Sequence, residues 1–171
     1  LAGLEVSDES FFRAQKFMAS VSSGTLGGLY AYTGGAPNPA MTASGMFCRQ
    51  LDLVPPTDPR MPEGAEYLGR HKFNNNPDYY YVYYATLALY QHQGPVWKEW
   101  NDRLKDTFPR IQNKIGANRG SWDPGGRHSN AGGRVVSTTL SVLSLEVYYR
   151  LLPMYGFRGA SDLPAAKEKG Q

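Results

Sequence analysis

Three times along this chain, a segment apolar on one side is followed by a segment apolar on almost every side. The one-sided segments are Asp8 to about Ser20, Pro62 to about Lys72, and a longer stretch opened by Pro95. In the last, Trp97, Trp100, Leu104, Phe108, Ile111 and Ile115 recur at the i, i+3/i+4, i+7 spacing of a helix. Pro109 falls inside that pattern and is expected to kink or split it near Thr107. The segments apolar all round run from Pro39 to about Leu53, from Pro77 to about His92, and from about Arg134 to Leu152. A helix of this second kind must be covered on every side, whereas an amphipathic one needs cover on one. Both demands are met if the first kind lie inside a ring and the second kind outside it. The pattern therefore predicts an all-α fold of about six principal helices over residues 1–156, paired into about three hairpins. An irregular tail is expected over 157–171.

Local signals agree with those boundaries. Asn38-Pro39 and Asn76-Pro77 each place a favoured N-cap before a proline tolerated at the first helical position. Ser7 is positioned to cap the first helix, with Asp8 and Glu9 in its first turn. Gly94-Pro95 stops the second inner segment, and Gly132-Gly133 and Pro153 bracket the third. A common core recurs in Met41-Thr42-Ala43-Ser44, Tyr84-Ala85-Thr86-Leu87-Ala88 and Ser137-Thr138-Thr139-Leu140-Ser141. Aligned on Thr42, Thr86 and Thr139, the first interval fits the ~40–47-residue period of helical repeats and the second exceeds it, as longer loops would require. Ser137, Ser141 and Ser144 share one helical face, which lets a neighbouring helix approach closely. Glu146 and Arg150 are spaced for an i, i+4 ion pair.

Composition narrows the function classes. With 41% hydrophobic and 19% charged residues the chain has globular values. Its 12 Tyr suit half-polar interior surfaces, because each ring carries a hydroxyl that needs a partner. The net charge of +3 is small and the 18 basic residues are scattered, so no nucleic-acid stripe is expected. No apolar run approaches the ~20 residues that cross a bilayer. One cysteine, Cys48, excludes an internal disulfide and a Cys-rich metal site. The start at Leu1-Ala2-Gly3, without Met, leads to the expectation of a fragment from which a leader or upstream domain was removed.

The last third carries a family resemblance. Trp97-Lys98-Glu99-Trp100-Asn101, Gln112, Gly120-Ser121-Trp122-Asp123, and the helix from Thr138 to Arg150 follow in that order. Together they resemble the squalene-cyclase-type repeat of the terpenoid cyclase/protein prenyltransferase superfamily. Tyr79-Tyr80-Tyr81-Val82-Tyr83-Tyr84-Ala85-Thr86 is similar to repeats in bacterial members of unassigned function. The resemblance covers roughly residues 8 to 155 and implies an α/α toroid, with inner and outer helices around a central cavity. It also implies that Gln112 buttresses the next helix start against Trp122. The pattern departs in two places: an insertion at Gly116-Ala117-Asn118 separates Gln112 from Trp122, and the first repeat offers Gln15 and Gly27-Gly28-Leu29 without the Trp. A full ring uses about twice the hairpins counted here. This chain then makes a partial ring, completed by the remainder of a larger chain, by a second copy, or not at all.

The chemistry that the resemblance implies is not legible in the residues. Cyclases of this kind use an Asp-x-Asp-Asp acid cluster, whereas Asp52, Asp58 and Asp102 stand apart. Prenyltransferases hold zinc through Asp-x-Cys and a distant His, whereas Cys48 follows Met46-Phe47. A zinc site joining Cys48 to His71, His92 or His128 competes with a buried apolar thiol, and the latter is expected. No metal or cofactor is therefore expected. The most suggestive polar stretch is the Gly-rich loop from Ser121 to Asn130, extended to Arg134. Asp123, Arg127, His128 and Arg134 are the catalytic candidates, with Asn130 beside them. With a tyrosine, they could form a lyase-like site in which a cation neutralises a uronate and Tyr or His removes the neighbouring proton. The plainer alternative makes Asp123 a turn cap and the arginines partners of helix carbonyls.

Tyr79, Tyr80, Tyr83, Tyr84 and Trp122 are the ligand-binding candidates, set against simple packing. Tyr79, Tyr83 and Tyr90 share one helical face; Tyr80, Tyr84 and Leu87 share another. The expected function is a non-catalytic cyclase-like repeat domain for binding or assembly in a larger bacterial protein, with a small hydrophobic or carbohydrate ligand. The alternative is an enzyme using the ring cavity, either a terpenoid or prenyl-type cyclase completed by missing sequence or a carbohydrate-active lyase.

Overall fold

The helix that needs most cover receives it. In a computed structural model that describes residues 5–154, only Tyr80, Tyr83 and Tyr84 of the helix Tyr79–His92 stay half-buried, and its other eleven residues are buried. In chain order the described elements are α1 (Asp8–Ser20), β1 (Ser22–Ser23), β2 (Leu29–Tyr30), α2 (Pro39–Leu51), α3 (Arg60–Arg70), α4 (Tyr79–His92), α5 (Gly94–Ile111), α6 (Gly126–Leu145) and α7 (Val147–Arg150). Helix α4 lies between α2 and α6 in one layer, and α3 and α5 pack together behind them. No helix among the described residues is long and apolar enough to cross a membrane. The tail over 157–171 lies outside the described residues.

Helix ends follow the expected chemistry with local corrections. Ser7 and Asn38 cap α1 and α2: Ser7 Oγ accepts from Ser10 N–H at 3.3 Å, and Asn38 Oδ1 from Met41 N–H at 3.0 Å. The cap of α4 is Asp78 rather than Asn76, because Asn76 is drawn into a turn in which its N–H donates to Asn74 Oδ1 at 2.9 Å. Pro109 does not split α5. It falls in the last turn, with Thr107 and Phe108 still helical and buried, and Ile115 lies beyond the helix end and is exposed. Within α6, Gly133 adopts φ 67° and ψ −164°, so a helical stretch does restart at Arg134. The residues ahead of it, Gly126–Gly132, are helical where a loop was expected. The expected single helix to Leu152 breaks at Glu146, and no Glu146–Arg150 ion pair forms.

A β-hairpin that the sequence did not announce joins α1 to α2. Ser22 pairs with Tyr30 and Ser23 with Leu29, antiparallel. Its loop is pinned by Glu63 of α3, whose carboxylate accepts from the N–H groups of Thr25 (2.7 Å), Leu26 (3.1 Å) and Gly28 (2.7 Å). Gly28 is required by the close approach, since a Cβ there would overlap the Arg60 carbonyl.

Three helices are entered past a buried aromatic: Tyr30 before α2, Phe73 before α4 and Trp122 before α6. The N–H of Tyr30 donates to Thr42 Oγ1 at 3.1 Å, and the N–H of Trp122 to Thr138 Oγ1 at 3.2 Å. Two of the three repeat threonine pairs thus do the same work, with Thr138 rather than Thr139 in the third. Thr86 instead accepts from Trp100 Nε1–H at 3.0 Å. The indole N–H of Trp122 donates to Phe108 O at 2.8 Å. Gln112 Nε2 donates to Gly120 O at 2.9 Å, so it holds the loop leading to Trp122 rather than a helix start. Gln15 has no such role and donates to Asp52 instead. Ser137, Ser141 and Ser144 form a buried face of α6, and each hydroxyl donates to a backbone carbonyl.

Candidate functional site

The starts of α2, α4 and α6 meet at one cleft. Asn38 and Asp78 occupy it as helix caps, Arg127 reaches it from the first turn of α6, and Tyr32, Met41 and Tyr81 complete its wall around about 760 Å³. Helices α3 and α5 end at this side of the molecule, which makes them antiparallel to α4. The Tyr81 hydroxyl donates to His71 O, just past the end of α3, at 2.7 Å, and Tyr79 packs its ring on Phe108 near the end of α5 at 5.8 Å. Asp78 is fixed by its cap bonds, with Oδ1 accepting from Tyr80 N–H at 3.1 Å. Asn38 spends its carbonyl on the cap, which leaves its amide N–H groups as donors at the cleft.

The tyrosines divide by burial. Tyr79 is buried, and its hydroxyl is pushed up to about 12 by burial and by the nearby Asp123 carboxylate. Burial pushes Tyr81 up further, with the Tyr67 hydroxyl adding to it. A general base works best when its pKa lies near the operating pH, so neither hydroxyl is poised to remove a proton at neutral pH. Tyr80, Tyr83 and Tyr84 form a half-buried cluster, with ring centroids 4.7 Å apart for Tyr80–Tyr84 and 5.1 Å for Tyr83–Tyr84. Tyr83 therefore joins Tyr84 rather than the face of Tyr79 and Tyr90, the latter packing on Trp97 at 5.3 Å.

The described polar side chains after Trp122 do not gather as one site. Arg134 pairs with Asp123 at 2.5 Å and donates to Ser121 Oγ at 3.1 Å, while Asn113 Nδ2 donates to Asp123 at 3.2 Å. The Arg134 guanidinium, and then Asn113, hold the Asp123 carboxyl below its ordinary value. These contacts close the loop over the buried Trp122, which is a structural role. Arg127 stands apart from them in the cleft. Asn130 is exposed, and the side chain of His128 lies outside the described residues.

The other acids have local partners as well. Asp52 accepts from Gln15, Asp58 pairs with Arg60 at 2.7 Å, and Asp102 pairs with Lys98 at 2.8 Å. Cys48 is exposed on α2, against the expectation of a buried thiol. Among the described residues no group of three or more His, Cys, Asp and Glu is placed to hold a metal ion. His71 Nδ1 lies 2.8 Å from Tyr67 O, and His92 is buried at the far end of α4.

Sequence reasoning missed Tyr32, Asn38, Asp78 and Tyr81 as cleft residues. A signal existed: the caps of successive inner helices must share one end of the layer if the outer helices return the chain each time. In comparisons with known proteins, the chain matches no family model, no curated protein and no solved structure.

Proposed function

We propose that this chain is a squalene-cyclase/prenyltransferase-like repeat domain that serves binding or assembly and is not itself a catalyst. The supporting observation is the layer α2–α4–α6, whose helices all begin at one cleft, with α3 and α5 returning the chain behind them. That arrangement suits one arc of an α/α toroid, three hairpins long. The binding role is favoured over the enzyme readings because Tyr81, the buried tyrosine of the cleft, holds its proton, and Asp52, Asp58, Asp78, Asp102 and Asp123 are engaged as ion pairs, caps and hydrogen-bond acceptors.

The ends of the arc support the assembly part. Helix α3 packs on α2 and α4, and α5 on α4 and α6. By the same rule α1 belongs between α2 and a preceding inner helix, and it instead leaves Phe11, Phe12 and Phe17 more than half exposed. A groove of about 390 Å³ runs between α1 and α2, past Phe11, Met18, Cys48 and Leu51. At the other end, α6 leaves Val135 and Val142 uncovered. Apolar faces of this kind mark interaction surfaces. A further hairpin of the same type, from a longer chain or a second copy, would cover them.

Sedimentation velocity over a wide concentration range tests the proposal. Association that grows with concentration, and that Phe12→Glu or Val142→Glu weakens while the helical circular dichroism stays unchanged, is the expected result. A chain monomeric at every concentration that also takes up no apolar dye would overturn it.

A further inference from the structure

We infer that the cleft at the starts of α2, α4 and α6 binds an acidic saccharide, its carboxylate held by Arg127 and one sugar face laid on Tyr32. This assignment rests on the reading of the chain as a binding domain and names the ligand class of that cleft.

Arg127 is exposed at the cleft wall, and no hydrogen bond or ion pair to it forms among the described residues. Every other arginine near the loop after Trp122 is spent: Arg134 holds Asp123 and Ser121. A guanidinium left over in a concave wall offers a planar fork that matches a carboxylate with two parallel N–H···O bonds. The same cleft is lined by Tyr32, 72% exposed in the segment between β2 and α2. An aromatic ring this open at a cleft rim has no packing role to explain it, and its flat apolar face suits the C–H face of a pyranose.

The rest of the wall decides between ligand types. Among the described lining residues, Asn38 contributes amide donors and Arg127 is the one cation. One guanidinium and a pair of amide N–H donors leave a dianion such as a phosphate monoester under-neutralised. They favour a ligand with a single carboxylate and many hydroxyls. A volume of about 760 Å³ lies inside the ~300–1,000 Å³ range of small-molecule sites and holds more than one sugar ring.

The test is isothermal titration calorimetry of the whole chain with trigalacturonate, maltotriose and citrate as probes. Trigalacturonate is expected to bind, and maltotriose to bind at least about tenfold more weakly, a difference of ~1.4 kcal/mol. Arg127→Ala should weaken trigalacturonate by a similar factor and Tyr32→Ala by several-fold, both without loss of helical signal, since both side chains are exposed. Arg127→Lys should recover only part of the loss, because an ammonium cannot form the fork. Citrate binding as tight as trigalacturonate, an Arg127→Ala variant that binds as well as the parent, or no heat with any probe would each overturn the assignment. None of these results touches self-association through Phe12 and Val142, so failure of the ligand class is distinguishable from failure of the binding-and-assembly reading.

Discussion

Replacing Trp122 by alanine removes the residue on which the third hairpin turns. The ring is 3% exposed, its N–H is bonded to Phe108 O, and it lies 6.4 Å from the Phe108 ring. A buried Trp hides about 200 Å² of surface. At about 25 cal/mol per Å² this is worth about 5 kcal/mol as an upper bound, since the unfolded chain already hides part of it. Alanine retains a fraction of the burial, but the Phe108 carbonyl then loses its donor in an apolar site, at about 1–3 kcal/mol. The expected loss is about 3–5 kcal/mol. Trp122→Phe separates the two contributions: it keeps most of the apolar surface and forfeits the indole N–H, so about 1–2 kcal/mol should be lost. Urea melts followed by far-ultraviolet circular dichroism give both values, provided the slopes match the parent. A midpoint unchanged in Trp122→Ala would refute the buttress, and equal losses in the two variants would refute the area argument.

Two further outcomes follow from the same contacts. Glu63→Gln should cost about 1.5–3 kcal/mol and speed amide exchange at Thr25, Leu26 and Gly28, because a charged acceptor of three backbone N–H groups is lost; protection unchanged at those amides would count against the clamp. His92 is buried, and desolvation lowers its pKa below the ordinary 6.5. The unfolded chain therefore takes up the proton first, so stability is complete above about pH 6.5 and declines as pH falls from there toward the lower folded value. Urea midpoints between pH 8 and pH 5 should fall in the parent and fall less in His92→Gln; parallel curves would place the pH dependence elsewhere.

The helix at the centre of the fold was legible because its demand is extreme. A stretch such as Tyr79–His92, apolar on every face, can be satisfied only by neighbours on all sides, and α4 has them between α2 and α6; the other two such stretches became α2 and α6 and are covered less completely, with Leu51, Val135 and Val142 exposed. The one-sided spacing held for α5, where Trp97, Trp100, Leu104 and Phe108 are buried, but not for α1, which buries none of its residues and leaves Phe11, Phe12 and Phe17 exposed. Boundaries failed where a single residue's local bond overrode the pattern: Asp78 displaced Asn76 as a cap, Glu146 ended α6 early, and Gly126–Gly132 became helical ahead of the break at Gly133.

The candidate site was less legible, and the reason is geometric. Arg127 and Arg134 are a helical turn or two apart in sequence, yet the positive φ of Gly133 sends them to different partners, one to an open cleft and the other to Asp123. No spacing rule shows which of two arginines will be consumed by a nearby carboxylate. The buttress was hidden for a related reason. A search for Gly-x-Trp finds only Trp122, whereas the function of that position is a buried aromatic ahead of an inner helix, and Tyr30 and Phe73 perform it with different side chains. What recurs ahead of α2 and α6 is therefore a job done by volume and one backbone bond, which Thr42 and Thr138 reveal more directly than the aromatic residue itself, whereas ahead of α4 only the buried aromatic recurs because Thr86 bonds Trp100.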